Sequence, residues 1–390
     1  MPEPALWTYA WSVYGAGGEA ALADLADRGI ESINLAAHYH SVETFDPKQP
    51  DRQFESYPAG CYFQPRQGEF ADTPIDPLPN DVRGVEDPLA DIVALADDQG
   101  LAVNAWTVCL HNTRLGVDNE AYRIETAYGQ PRDHVLCPSN PEVRAYFGAL
   151  AAAIADRGVA EIQLEKLGWP SPFHQHGRDH GHPKRQVLTS EVEEWLLGQC
   201  FCEACQERAA DHGVDVAAAR GRVRDLLADS FEDPHSDPPE LGALLQSEPH
   251  LADLQDYRAA VVEELLAGIA AATPDDVDLS YYLMEWPGGF GVDDGWPSGV
   301  SLDALNTHLD RVKALCYVGD PVTARERVRA AGRALNVPVD AGVTLATDHI
   351  EREQQFHAVV DAIRDRVEKL SVYHHGLMTE AQLDWVDRAF

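Results

Sequence analysis

Eight short runs rich in apolar, β-branched or aromatic residues recur along the 390-residue chain, and segments of helical period separate most of them. The runs are Leu6–Tyr14, Ile30–His38, Leu101–Leu110, Val159–Leu167, Val277–Glu285, Ala314–Val318, Val337–Leu345 and Leu370–His374. Helices are expected at Glu19–Arg28, Pro88–Asp98, Pro141–Arg157 and from Glu380 onward. Pro141 suits a first helical position, with Ser139 or Asn140 as cap before it and Gly158 as stop behind. Eight strands alternating with helices predict one (β/α)8 barrel over residues 1–390. A doubly wound open sheet also alternates, but it opens on a Gly-rich phosphate turn. Gly15-Ala16-Gly17-Gly18 does not complete G-x-G-x-x-G.

Two connections exceed the usual few residues. Residues 41–87, rich in Pro, Asp and aromatics, are expected to form a long loop over the barrel mouth. Residues 168–276, between strands four and five, carry a His-rich loop, a Cys cluster and several helices, and are expected to form an inserted subdomain.

Composition decides which partners are excluded. Thirty Lys and Arg against 65 Asp and Glu leave a net charge of −35. Such a surface repels phosphate backbones and anionic lipid, so neither nucleic acid nor membrane is an expected partner. The few Lys residues are Lys48, Lys166, Lys184, Lys313 and Lys369, so Arg supplies most of the positive charge. Acid excess of this kind fits a halophilic protein, because concentrated counter-ions screen the carboxylates' mutual repulsion. Met1-Pro2-Glu3-Pro4 offers no basic leader region and no run of apolar residues is long enough to span a bilayer. A cytoplasmic location is expected, and self-association into a homo-oligomer is left open.

In a barrel of this kind the reactive groups sit at the C-terminal ends of the strands. That rule selects Trp11 after strand one, His38 at the end of strand two, Trp106 and His111 on and after strand three, and Glu165 and Trp169 on and after strand four. It also selects Glu285 and Trp286 at strand five, Asp320 after strand six and His374 at strand eight. Carboxylates among indoles and imidazoles suit a small-molecule saccharide, whose apolar C–H faces stack on indole rings while its hydroxyls bind carboxylates. Alternation puts Glu161, Gln163 and Glu165 on one face, with Glu165 nearest the rim. A structural ion pair with Lys166 or an Arg is the plainer role for Glu165. Glycoside hydrolysis needs a second carboxyl, about 5 Å away for retention or roughly 6.5–9.5 Å for inversion. Glu285 is the first choice; Asp320 is the other, although it precedes Pro321 and equally suits a helix cap.

Two clusters lie in the long insertion. The loop His174–His182 holds four imidazoles, of which His176 is the candidate for substrate contact, and a metal is the alternative. Cys200, Cys202 and Cys205 have the spacing of zinc ligands, and Cys137 is the natural fourth because strands three and four are neighbours. Cys109 and His212 are spare ligands, and three reduced thiols without metal are the structural alternative. A structural zinc is expected, and no organic cofactor.

Cys137-Pro138-Ser139-Asn140-Pro141-Glu142-Val143-Arg144, a long helix, a strand ending in a carboxylate and Cys200-Phe201-Cys202-Glu203-Ala204-Cys205 follow in that order. This order resembles the N-terminal barrel of glycoside hydrolase family 42 β-galactosidases and is similar to the "family 10-like" glycosyl hydrolases of unknown specificity. The resemblance covers about residues 135–208. It implies that the Cys before Pro and the later C-x-C-x-x-C bind a structural zinc, and that Glu165 holds the place of the acid/base. The β-galactosidases carry Asn-Glu where this chain has Leu164-Glu165, and their nucleophile ends strand seven, which holds no Glu here.

The leading expectation is a glycoside hydrolase with Glu165 as general acid. A metal-dependent sugar isomerase, epimerase or lyase is the alternative, with Glu165, Glu285, His38, His111 and His374 around the ion. A non-catalytic saccharide-binding barrel is the third.

Overall fold

The computed structural model describes residues 1–49, 51–169, 172–173, 186–187, 189–233, 235, 238–284 and 295–390. Eight parallel strands close into a ring: β1 Glu3–Thr8, β2 Ser32–Tyr39, β3 Ala102–Val108, β4 Glu161–Glu165, β5 Asp278–Leu283, β6 Arg311–Cys316, β7 Val339–Thr344 and β8 Lys369–Tyr373. Each strand pairs with the next. β8 returns to β1 through Glu3↔Lys369 to Leu6↔Val372, so the ring has no unpaired seam. The outer layer holds α1 Glu19–Asp27, α2 Pro88–Asp97, α3 Pro141–Ala155, α4 Pro249–Ala272, α5 Leu302–His308, α6 Pro321–Ala334, α7 Glu353–Ile363 and α8 Glu380–Asp387. The chain is therefore the (β/α)8 barrel that the alternation implies. No helix among the described residues is long and apolar enough to cross a membrane.

Local chemistry explains where the elements differ from expectation. β1 stops at Thr8, and Ala10–Gly15 forms a helical turn that carries Trp11. β6 begins at Arg311, earlier than its apolar run, because Lys313 points into the barrel. Residues 41–87 contain a hairpin, Val42–Phe45 with Phe54–Tyr57, and a short strand Gly60–Cys61 antiparallel to β2. Gly60 is required there: its φ is +153° and a Cβ would lie 2.1 Å from the Leu78 carbonyl oxygen. Between β3 and α3 the chain adds a helix, Thr113–Asp118, and an antiparallel pair, Arg123–Glu125 with Pro131–Leu136. Helices Glu191–Leu197, Glu203–Asp211, Val216–Glu232 and Leu241–Ser247 precede α4, which packs beside α3.

The interior of the ring is polar at its base and aromatic toward its C-terminal mouth. Hydrogen bonds between strands that are not neighbours cross the lumen. Asn34 Nδ2 donates to Ser371 Oγ at 3.0 Å, Gln163 Nε2 to Asn34 Oδ1 at 2.9 Å, and Lys313 Nζ to Ser371 Oγ at 3.0 Å. These four residues come from β2, β4, β6 and β8, one of the alternate-strand layers that fill such barrels. The buried Glu161 carboxylate accepts from Ser280 Oγ at 2.5 Å and from Lys369 Nζ at 2.9 Å. Above them Trp7 spans the lumen, its Nε1 donating to Tyr282 OH at 2.6 Å and its ring 5.2 Å from the Lys313 ammonium. Gly342 makes room for it, since a Cβ there would lie 2.5 Å from the indole.

Burial alone would push the Glu161 carboxyl up, but Lys313 and Lys369 outweigh it and hold the group below the usual carboxylate range. Such a group contributes stability above its unfolded pKa, which is lost as pH falls through the folded one. Glu161→Gln leaves the buried Lys313 ammonium without its nearby carboxylate and strips the half-buried Lys369 of its closer one, and is expected to cost about 3 kcal/mol in chemical denaturation at neutral pH. The deficit narrows as pH drops below the carboxylate range, and Lys313→Met added to Glu161→Gln restores part of it. Equal stability of Glu161→Gln and wild type at neutral pH would contradict this account.

Candidate active site

β4 ends at Glu165, and the next residue, Lys166, adopts a left-handed backbone with φ +55°. Cys109 N donates to the Glu165 carbonyl at 2.8 Å and Leu110 N to that of Lys166 at 3.1 Å, so the turn is tied to the end of β3. Trp106, on β3, donates its indole Nε1–H to Glu165 Oε2 at 2.6 Å. Burial pushes the Glu165 carboxyl up, opposed by the Lys166 charge and the indole hydrogen bond, and the net shift is upward. Tyrosines surround it. Burial raises the phenols of Tyr9, Tyr39, Tyr281, Tyr282, Tyr317 and Tyr373, and the Glu165 charge raises each of them further.

The rings of Tyr9, Tyr39, Tyr282, Tyr317 and Tyr373 join Trp106 in one network of ring contacts at the mouth. Tyr9 stacks on Trp11 with centroids 4.3 Å apart, lies 5.8 Å from Trp106 and reaches His374 at 4.1 Å. Trp106 also lies 6.2 Å from Tyr373 and 6.3 Å from His374. His374, fully buried, follows β8 and accepts the Gly376 backbone N–H on Nδ1 at 3.1 Å. Burial, with His375 and Lys48 nearby, holds its ring neutral, far below the ordinary imidazole range. Lys48, from the 41–87 connection, donates to the carbonyls of His375 at 2.5 Å and Met378 at 2.7 Å, and so straps that loop across the turn after β8.

The structure separates the residues expected at the rim. Glu165, Trp106 and His374 share the mouth. Trp11 is buried between Tyr9 and Tyr57, its Nε1 donating to Thr44 Oγ1 at 3.1 Å, and supports the floor from behind. His38 lies between β2 and α3, with Nδ1 2.6 Å from the Val108 carbonyl and Nε2 3.4 Å from Tyr146 OH. That places it behind the barrel wall. His111 is buried between His40 and His134, at ring distances of 5.1 and 5.9 Å. Trp169 is buried under the Arg258 guanidinium of α4, which lies 5.2 Å from its ring. Asp320 is the N-cap of α6, its Oδ2 accepting from Thr323 N at 2.8 Å and Thr323 Oγ1 at 2.6 Å, so both bonds serve the helix start. Glu285, Trp286 and His176 lie outside the described residues. Sequence reasoning missed the tyrosine ring, although Tyr282, Tyr317 and Tyr373 all lie in or beside the rim ends of strands, and it missed Lys48.

A second cluster lies away from the mouth. Cys137, Cys200, Cys202 and Cys205 are buried with their sulfurs all within 4.8 Å of one another. Cys137 Sγ lies 3.4 Å from Cys205, 3.5 Å from Cys202 and 3.8 Å from Cys200. A tetrahedral ion with metal–sulfur bonds of about 2.3 Å sets ligand sulfurs about 3.8 Å apart. Four buried thiols at this spacing fit a metal ion. Cys202 opens the helix Glu203–Asp211 and Cys137 lies just before α3, so such an ion would pin the insertion to the barrel's outer layer.

No protein-family model and no curated protein matches the sequence. The fold does match solved structures. The α-L-fucosidase isoenzyme 2 of Paenibacillus thiaminolyticus superposes over 100% of this chain and 49% of its own, at 11% identity and a TM-score of 0.56. The β-galactosidase of the psychrophilic Marinomonas ef1 superposes over 95% of this chain and 54% of its own, at 14% identity and a TM-score of 0.54. The chain thus spans about half the length of either enzyme, and at these identities the likeness is one of fold.

A carboxyl whose pKa rises on folding binds more protons in the native state, so it withdraws stability as pH climbs through the interval between its unfolded and folded values. Glu165→Gln is therefore expected to melt higher than wild type at pH 7, with the difference vanishing below the ordinary carboxylate range. Thermal melts of both proteins in concentrated salt across that pH range check this; a Glu165→Gln variant that melts lower at pH 7 contradicts it.

Proposed function

We propose that the chain is a carbohydrate-active barrel that hydrolyses glycosidic bonds, with Glu165 as the proton donor. The observation that carries this reading is the Glu165 carboxyl at the mouth, raised by burial and hydrogen-bonded by Trp106 above a floor of aromatic rings. A carboxyl whose pKa is raised by burial holds its proton to higher pH and can donate it to the leaving glycosidic oxygen as the C–O bond breaks. The rings offer the flat apolar surface on which a sugar's C–H face packs. The two enzymes similar in fold are a fucosidase and a galactosidase by name, which supports the reaction class.

Glu285 is the proposed second carboxyl, because it follows β5, the strand next to β4. Asp320 is set aside, since its oxygens cap α6. In the four-cysteine cluster Cys137, Cys200, Cys202 and Cys205 would hold a structural zinc, whose contribution is to fix the insertion rather than to react. The acidic surface is proposed to suit concentrated salt, so assays belong there.

Glu165→Gln is expected to lower turnover of an activated-glycoside panel by about 10²–10⁴-fold, the range for loss of a general acid. Wild-type activity falls on the alkaline side as pH rises through the Glu165 pKa and the donor proton is lost. Trp106→Phe removes the indole bond that favours the carboxylate, so the alkaline limb moves to higher pH. An unchanged profile in Trp106→Phe, or full activity in Glu165→Gln, overturns the assignment.

For the cysteine site, elemental analysis is expected to find one zinc per chain. Cys205→Ser is expected to lose it and to melt lower, because metal binding is coupled to folding. Purified protein without bound metal, and a Cys205→Ser variant as stable as wild type, would remove zinc from the account.

A further inference from the structure

β7 and β8 end at a cleft of about 320 Å³ whose lining includes Thr347, Asp348, His374, Leu377 and Met378. In an eight-stranded ring β8 lies opposite β4, so this cleft faces Glu165 across the mouth. One indole separates the two sides. Trp106 Nε1 touches Glu165 at 2.6 Å, and its ring lies 6.3 Å from that of His374.

The protonation of His374 follows from geometry. Its Nδ1 accepts a backbone N–H from Gly376, so that nitrogen carries a lone pair and the neutral ring bears its proton on Nε2. Nε2 is buried and has no hydrogen-bond partner among the described residues. An unpaired buried donor is unfavourable, a cost that an acceptor on a ligand removes. Because Nδ1 is engaged, the ring cannot serve as a base at either nitrogen without breaking an existing bond. It is a donor only. Beside it the cleft has an apolar side, Leu377 and Met378, and a polar side, Thr347 and the exposed Asp348. Among the described residues no Lys or Arg lines it, and the charged residue in its lining is a carboxylate. A uronic acid or sulfated sugar would find repulsion and no partner there.

We propose that the cleft between β7 and β8 is the specificity subsite for an uncharged sugar, in which His374 Nε2–H donates to a ring hydroxyl on the side remote from Glu165. This deepens the carbohydrate reading and rests on it. Leu377 and Met378 pack against the sugar's C–H face, and Asp348 accepts from a hydroxyl at the open side. His374 is thus a positioning residue for the substrate, neutral across the working pH range.

The test uses the wild-type chain in concentrated salt, labelled with ¹⁵N at histidine and tryptophan and titrated with free galactose, fucose, N-acetylglucosamine and glucuronate. These probes contain no glycosidic bond, so nothing turns over. The His374 Nε2–H signal is assigned by its loss in His374→Phe or, should that variant not fold, by its contacts to the Tyr9 ring. The Trp106 indole signal reports on the Glu165 side. The expected result is that at least one neutral sugar moves both signals and glucuronate moves neither. In His374→Phe the same sugar is expected to bind about tenfold more weakly, read from the Trp106 signal. A sugar that moves Trp106 but leaves His374 unmoved overturns the subsite while the carbohydrate reading stands. Glucuronate moving His374 as strongly as the neutral sugars overturns the charge argument. No response of either signal to any sugar overturns the carbohydrate reading and the subsite with it.

Discussion

The structure depends on how the interior of a closed ring is filled. Eight strands leave a lumen that only side chains can occupy, and here the base of that lumen is charged. Glu161 and Lys313 are buried there with the half-buried Lys369 beside them, and Asn34, Gln163 and Ser371 hydrogen-bond across the lumen. Trp7 and Tyr282 then close the lumen like a plug, on the space Gly342 leaves open. Everything below the plug is sealed scaffold, Lys313 included, despite its reactive side chain. Everything above it faces the mouth. The division assigns the two carboxylates of β4 different lives: Glu161 is a structural anion, and Glu165, two layers higher, is a strained one.

That strain is the site's signature. The fold supplies Glu161 with two cations that outweigh its burial, and Glu165 with one indole, phenols and the Lys166 charge, which do not. A scaffold built only for stability would place an amide at position 165. That burial is borne by the barrel beneath, whose lumen is cross-linked by hydrogen bonds, and by Lys48, which fastens the long loop to the turn after β8.

Part of this was legible beforehand, and the failures have physical causes. The barrel followed from the count and alternation of strands. Glu165 followed from its parity with Glu161 and Gln163 and its place at the strand end. The convergence of Cys137 with Cys200, Cys202 and Cys205 followed from ligand spacing and the adjacency of β3 and β4. His38 was misplaced because strands in a closed ring are buried on both faces, whereas Trp11 sits on a helical turn after β1 and Trp169 in the segment after β4, where alternation gives no direction. A period of two then says that residues alternate, without saying which set enters the lumen and which meets the helices. The same ambiguity hid Lys313, whose charge interrupts an apolar run and so delayed the expected start of β6. The cap at Asp320 was legible from Pro321, as an alternative to a reactive role.

The seam of the ring bears on how the protein is made. β1 completes its pairing only with β8, Lys48 reaches carbonyls more than 320 positions later, and His374 itself follows the final strand. A chain emerging from the ribosome assembles from its N-terminal end, so the early βα units must wait with one edge of β1 unpaired. Closure of the ring and completion of the aromatic mouth are therefore one event, the docking of β8 on β1. Tyr9, Trp11, Trp106 and Glu165 all lie in the first half of the chain, yet Tyr373 and His374 join them only when β8 docks, so the mouth is complete only once the ring has closed.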